Sequence, residues 1–389
     1  MKLAARLDTL LRDATGRGAV PGVVVAVTDR AQTLYEGACG VRRLGDAAPM
    51  RVDTVTWIAS MTKALVSAAA LQLVEQGRLG LDDPLGTVVP ALAAVRVLTG
   101  FDDGGQPVTR APSNPLTLRH LLTHTSGFGY EYWSAAIQRV RKAEAIPGIA
   151  TCQDKALSTP LLFDPGERWE YGIGTDWLGK VIEAVDGRRL GLVLRENLLA
   201  PLGMADTAFR LSPAMQERLA TVHRRDREGV LQASEIRVPQ EPEFEMGGGG
   251  LYGTAGDYLR FVRMILNEGR SGGQPVLAPR SVAAMTGNQI GALPVTPLRT
   301  VLPTLSNDVD FFPGIAKGFT FGFQINLQAT PTGLPAGGLM WAGLANTYFW
   351  IDPASGIGGV FLSQVLPFAD TEALPLFLAI QQAVYDARR

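Results

Sequence analysis

Ser60-Met61-Thr62-Lys63 places a hydroxyl and an amine three residues apart. On a helix that spacing sets both side chains on one face, one turn apart. A serine hydroxyl is a poor nucleophile until a base takes its proton. A lysine can be that base only if burial or another cation lowers its pKa from about 10.4. The following residues, ALVSAAALQLV, are apolar and supply the burial. Of the 13 serines only Ser60 has a lysine at the third position. Alone, the pair reads first as a surface N-cap serine beside a solvated lysine, and the chemistry needs further residues to support it.

Two further places add chemistry. Glu170-Tyr171-Gly172 offers a phenol that could relay a proton to a leaving group, its pKa drawn down by a nearby ammonium. Trp341-Ala342-Gly343-Leu344 precedes the strand candidate TYFWIDP. Small residues there let a backbone approach a substrate. An edge strand at this place could offer the Leu344 N–H as an oxyanion donor, paired with the N–H of Ser60.

These residues need elements to hold them. Leu3, Leu7, Leu10 and Leu11 mark an amphipathic helix ending near Gly16–Gly18. VVVAVTD reads as a buried strand and LYEGACGVR as its antiparallel neighbour. Ser60 to about Gln76 is predicted helical, with Ser60 as N-cap. Residues 84–244 carry helical segments and long connections. A long helix, GDYLRFVRMILNEG, follows Gly247–Gly250. Then come three strand candidates, FTFGFQINL, TYFWIDP and GIGGVFLSQV, and a final helix from Thr371 to Ala387. Strands at both ends with helices between predict an α+β fold. The antiparallel sheet is assembled from residues 1–83 and 245–389. A mostly helical domain, 84–244, is inserted, with the site at the interface.

In order and spacing, five stretches resemble the serine β-lactamase and penicillin-binding-protein superfamily, whose first signature is SxxK. They are WIASMTKALVSAAALQLVEQGRLGLDDPL, LTLRHLLTHTSGFGY, FDPGERWEYGIGTDWLGKVIE, GGGGLYGTAGDYLRF and WAGLANTYFWIDP. Within it the chain is most similar to the class C β-lactamase-like esterases, the family VIII carboxylesterases. The resemblance implies Ser60 as the acylated nucleophile and Lys63 as its base. Tyr171 stands as the tyrosine of the YxN or YxS motif. The N–H groups of Ser60 and Leu344 form the oxyanion hole. Trp341 and Gly343 stand at the KTG position, and Tyr130 is placed at the pocket wall.

Two departures follow. Trp341 replaces the KTG lysine, which removes the anchor for a substrate carboxylate and favours neutral esters. Ile173 replaces the polar third residue of YxN. The expected activity is hydrolysis of short-chain carboxylic esters through an acyl-enzyme. Acyl transfer to an alcohol, weak β-lactamase or D,D-peptidase activity, and a silent binding relative are the alternatives. No metal or organic cofactor is implied.

Other features point away from chemistry. Gly269-Arg270-Ser271-Gly272-Gly273 fits GxSxG but follows a helix and reads as a surface turn. His120 and His124 lie four apart on a predicted helix without the glutamate of HExxH, and read as structure. His223 reads as a surface loop residue. Cys39 and Cys152 form no metal set and read as two free buried thiols in a reducing compartment. The formal net charge of −1 argues against a nucleic-acid partner. Asp8 and Asp13 interrupt any signal-peptide core, and no apolar run approaches a membrane span. A cytoplasmic protein acting on a small-molecule ester is the expectation.

Overall fold

A computed structural model describes residues 3–388. Its centre is an antiparallel sheet of seven strands. The strands are β1 (Gly22–Asp29), β2 (Thr33–Gly40), β3 (Lys317–Phe319), β4 (Gln324–Asn326), β5 (Leu339–Gly343), β6 (Thr347–Asp352) and β7 (Ile357–Leu362). Their spatial order is β3-β4-β5-β6-β7-β1-β2. β1 pairs antiparallel with β7, Val25 opposite Phe361, so the two ends of the chain form one sheet.

The apolar runs of β1, β6 and β7 do not alternate with polar residues because both faces of the sheet are covered. The period of two sorts the rings of β6. Tyr348 and Trp350 pack on Phe377 of the C-terminal helix α5 (Ala373–Asp386). Phe349 packs on Tyr258 of helix α4 (Ala255–Leu266), on the other face. Helix α1 (Leu3–Gly16) lies beside α5. Each such buried ring contributes on the order of 1.5–3 kcal/mol.

Helix α2 (Thr62–Glu75) is buried along nearly its whole length. Its run of Ala, Leu and Val gives it apolar surface on nearly every side, with Lys63, Ser67 and Gln72 as buried polar exceptions. It packs on helix α3 (Gly174–Asp186). The fold is thus the expected α+β arrangement.

Several local expectations are corrected. FTFGFQINL is not one strand. Thr320 accepts from the Phe323 N–H in a tight turn, with Gly322 at φ +118°, and splits the segment into β3 and β4. The 84–244 region contains two small hairpins, Val97–Phe101 with Pro107–Arg110 and His223–Arg225 with Leu231–Ala233. The second also pairs in parallel with Val365–Leu366. His223 is therefore buried on a strand, not in a surface loop, and its Nε2 accepts from the Leu44 N–H at 3.0 Å. Cys39 is only half-buried beside Thr15, whereas Cys152 is buried; both are free.

Among the described residues no helix is long and apolar enough to cross a membrane.

Candidate active site

Ser60 is not a helix N-cap. It sits in a 3-10 turn, Ala59–Met61, just before α2. Ala59 is held at φ +45°, a strained conformation for a residue with a Cβ. The turn leaves the Ser60 hydroxyl free of any capping bond and half-exposed at a pocket.

Lys63, one turn on, is buried. Its Nζ lies 3.2 Å from Ser60 Oγ, 2.9 Å from Tyr130 Oη and 2.6 Å from the Gly248 carbonyl. Burial drives the amine's pKa well below the usual lysine value, and the Asp176 carboxylate opposes that shift. Lys63 is thereby able to act as a base near neutrality.

Tyr171 lies in the segment leading into α3, and its ring faces Nζ at 4.7 Å. Its hydroxyl is hydrogen-bonded to Ser60 and accepts from Trp341 Nε1 at 3.1 Å. The expected lowering of its pKa is corrected. Burial raises it, and the hydrogen bonds it shares with Ser60 and Trp341 only moderate the rise. Tyr171 is a protonated phenol at neutral pH. His124, Trp341 and Tyr130 pack around it with ring centroids 4.7, 4.9 and 5.3 Å away.

Trp341 and Gly343 are on β5. This strand is third in the sheet, so it is not an edge strand. β4, however, pairs only with Leu339 and Met340, and Trp341 and Ala342 beyond that pairing line the pocket. A Cβ on Gly343 would lie 2.3 Å from the Ile58 carbonyl, so only glycine lets β5 close on the Ser60 turn. Leu344 follows directly and lines the same pocket as Ser60, Tyr130, Tyr171 and Trp341. The other walls include Tyr132, Trp133, Phe311 and Phe368. No side chain among the lining residues carries a formal charge.

The inserted region supplies a residue the sequence reading missed. Asp176 is fully buried, accepts from the Gly248 N–H at 2.7 Å and from Tyr130 Oη at 3.3 Å. Burial raises its pKa while Lys63 holds it down. Its signal was present in YGIGTD, where it lies five residues after Tyr171 at the start of α3. Tyr130, expected only at the wall, contacts Lys63 directly.

His120 and His124 do not share a helical face. The helix ends at Leu122, and His124 takes φ +57°. His120 Nδ1 turns back to Thr117. Ser271 lies on an exposed hairpin in a different cavity, among arginines, away from the apolar pocket of Ser60.

The family model described as Beta-lactamase matches residues 7–383. The chain belongs to the β-lactamase family. It is 32% identical to the lovastatin esterase of Penicillium rubens over 93% of each chain. It is 31% identical to the monacolin J acid methylbutanoyltransferase of Aspergillus terreus, over 97% of this chain and 95% of that one. The solved structure of the LovD6 mutant of simvastatin synthase from Aspergillus terreus superposes with a TM-score of 0.85 at 29% identity. The match covers 98% of this chain and 96% of that one. With esterases and acyltransferases among its relatives, this β-lactamase-family member is an enzyme of the serine hydrolase and acyltransferase type.

Proposed function

We propose that the protein is a serine carboxylesterase, of the family VIII kind, that hydrolyses short-chain carboxylic esters through an acyl-enzyme on Ser60. The observation that carries this reading is the buried Lys63 Nζ at 3.2 Å from Ser60 Oγ, in a pocket where Trp341 stands instead of a cation.

In this reading neutral Lys63 takes the Ser60 proton as Oγ attacks the ester carbonyl. The N–H groups of Ser60 and Leu344 hold the oxyanion. Tyr171, a protonated phenol, hands its proton to the departing alcohol and is reprotonated from Lys63. Water then attacks the acyl-enzyme, activated through the same pair, and the acid leaves. An apolar pocket without a cation suits neutral esters better than carboxylate-bearing lactams. The lobes 1–83 with 245–389 and 84–244 meet at this site: Ser60 and Trp341 come from one, Tyr130 and Tyr171 from the other. Two free cysteines fit a reducing compartment such as the cytoplasm.

A second reading is acyl transfer to an alcohol. The apolar walls beside Ser60, and the likeness to a methylbutanoyltransferase, favour an organic acceptor over water. Product analysis with added alcohols separates the two.

The test is substitution. Ser60→Ala should abolish hydrolysis of short p-nitrophenyl esters, while Ser271→Ala should leave it intact. Normal turnover by the Ser60 variant would refute the proposal.

A further inference from the structure

Lys63 Nζ has three polar neighbours, and two of them fix its hydrogens. A carbonyl oxygen can only accept, so the contact with Gly248 takes one N–H. The Tyr130 hydroxyl takes a second, because its own proton is given to Asp176 Oδ2. The third neighbour is Ser60 Oγ. When Lys63 is a neutral amine both N–H bonds are used, and the lone pair faces Ser60.

This direction depends on Asp176. If Tyr130 could turn its proton toward Lys63, it would occupy the lone pair that Ser60 needs. The carboxylate prevents that, since it only accepts. Gly248 holds both ends of the arrangement: its N–H binds Asp176 Oδ1 and its carbonyl binds Lys63. A Cβ at Gly248 would lie 2.5 Å from Asp176 Oδ2 and 2.7 Å from Tyr130 Oη, so the closeness requires glycine.

We propose that Asp176 is a positioning residue that orients the Tyr130 hydroxyl, so that the free amine of Lys63 presents its lone pair to Ser60. This rests on the Ser60 esterase reading and deepens it. The carboxylate also offsets the ammonium formed when the Ser60 proton moves to Nζ. Asp176 faces Lys63 from α2 and Tyr130, Glu131 and Tyr132 from the segment after Leu122, together with Cys152 and Tyr171. Lys63 is the one cation of that group. It also faces His124, which burial keeps neutral. Removing the Asp176 charge therefore lowers the basicity of Lys63.

Asp176→Asn tests the assignment with little change in size. With its oxygen kept on the Gly248 N–H, the amide nitrogen faces Tyr130, which must then accept and turn its proton to Lys63. The measurement is kcat and kcat/KM for p-nitrophenyl acetate against pH in wild type, D176N, Y130F and the double variant. Ser60 is titrated with a fluorophosphonate in each to count competent sites. D176N should lose about 10²-fold in kcat, as expected for a disabled general base. Its acid limb should move to lower pH. Added to Y130F, it should cost no more than about twofold. An unmoved acid limb, or losses that multiply, would overturn the proposal. Should D176N not fold, Y130F decides: it should lose about tenfold in kcat, and wild-type kcat would overturn the proposal. Wild-type enzyme that turns over ester without labelling at Ser60 would overturn the esterase reading instead, and this inference with it.

Discussion

Trp341 Nε1 donates to the Tyr171 hydroxyl across 3.1 Å, so the indole is a hydrogen-bond donor in the site and not only an apolar wall. Having accepted that bond, Tyr171 keeps its own proton for Ser60 or for a leaving alcohol. Trp341 thus holds the phenol by a hydrogen bond without bringing a cation. Its replacement tests substrate class. Trp341→Lys should raise activity on carboxylate-bearing β-lactams such as nitrocefin relative to p-nitrophenyl esters, by about tenfold if one charge-assisted bond forms. An unchanged ratio would remove the explanation offered for ester preference.

The burial of Lys63 has a consequence for pH dependence. A base acts only when unprotonated, and desolvation by burial moves the Lys63 pKa down from the ordinary lysine value. kcat/KM should therefore rise with pH along an acid limb that lies well below pH 10 and then level off. Lys63→Ala should cost about 10²–10⁴-fold, the usual worth of a general base. An acid limb at the ordinary lysine value would mean that the amine is solvated in solution.

Gly343 tests how β5 is seated against the turn that carries Ser60, the proposed nucleophile. A methyl group there would meet the Ile58 carbonyl at 2.3 Å, and that carbonyl also accepts from Thr347 Oγ1. Neither partner is the free end of a flexible chain. Gly343→Ala should push β5 and Leu344 away from the Ser60 turn and lower kcat by about 10²-fold, the worth of one oxyanion donor. The loss should appear in kcat more than in KM. A variant with wild-type kcat would show that this distance does not matter.

Stability has its own test at Asp370. Its carboxylate pairs with Arg225, Nε to Oδ2 at 2.6 Å, and both side chains are largely buried. The same carboxylate accepts from the Ala373 N–H at the start of α5. It ties the His223–Arg225 hairpin to the C-terminal helix. Asp370→Ala leaves a buried guanidinium without its partner and should cost about 3–5 kcal/mol of unfolding free energy in denaturant titration. A loss below about 1 kcal/mol would mean that solvent reaches Arg225.

The elements with strong periodicity were legible in the sequence. Val23–Val27 and Tyr348–Ile351 are unbroken apolar or aromatic runs covered on both faces, and α1, α2, α4 and α5 fall within the segments that the sequence marks as helical. The split of β3 from β4 was hidden, because a side-chain turn at Thr320 interrupts a run with no proline to mark it. His223 was misread because its hairpin is stabilised by Val365, more than a hundred residues away, which no local pattern reveals. The positions of Ser60, Lys63, Tyr171 and Trp341 came from motifs and fall at one pocket. Asp176 was missed because a lone aspartate at a helix start looks like a capping or dipole residue. Its meaning depends on Tyr130 and Gly248, which approach it from distant segments.

Acylation of Ser60, assisted by the Lys63 amine, is the central step of the proposed reaction. The direct measurement is labelling with a fluorophosphonate, followed by intact and peptide mass spectrometry. One equivalent should add, on the peptide containing Ser60, with ester hydrolysis lost in parallel and Lys63→Ala slowing the labelling. A label on Ser271 or any other serine, or full inactivation with Ser60 unmodified, would contradict it.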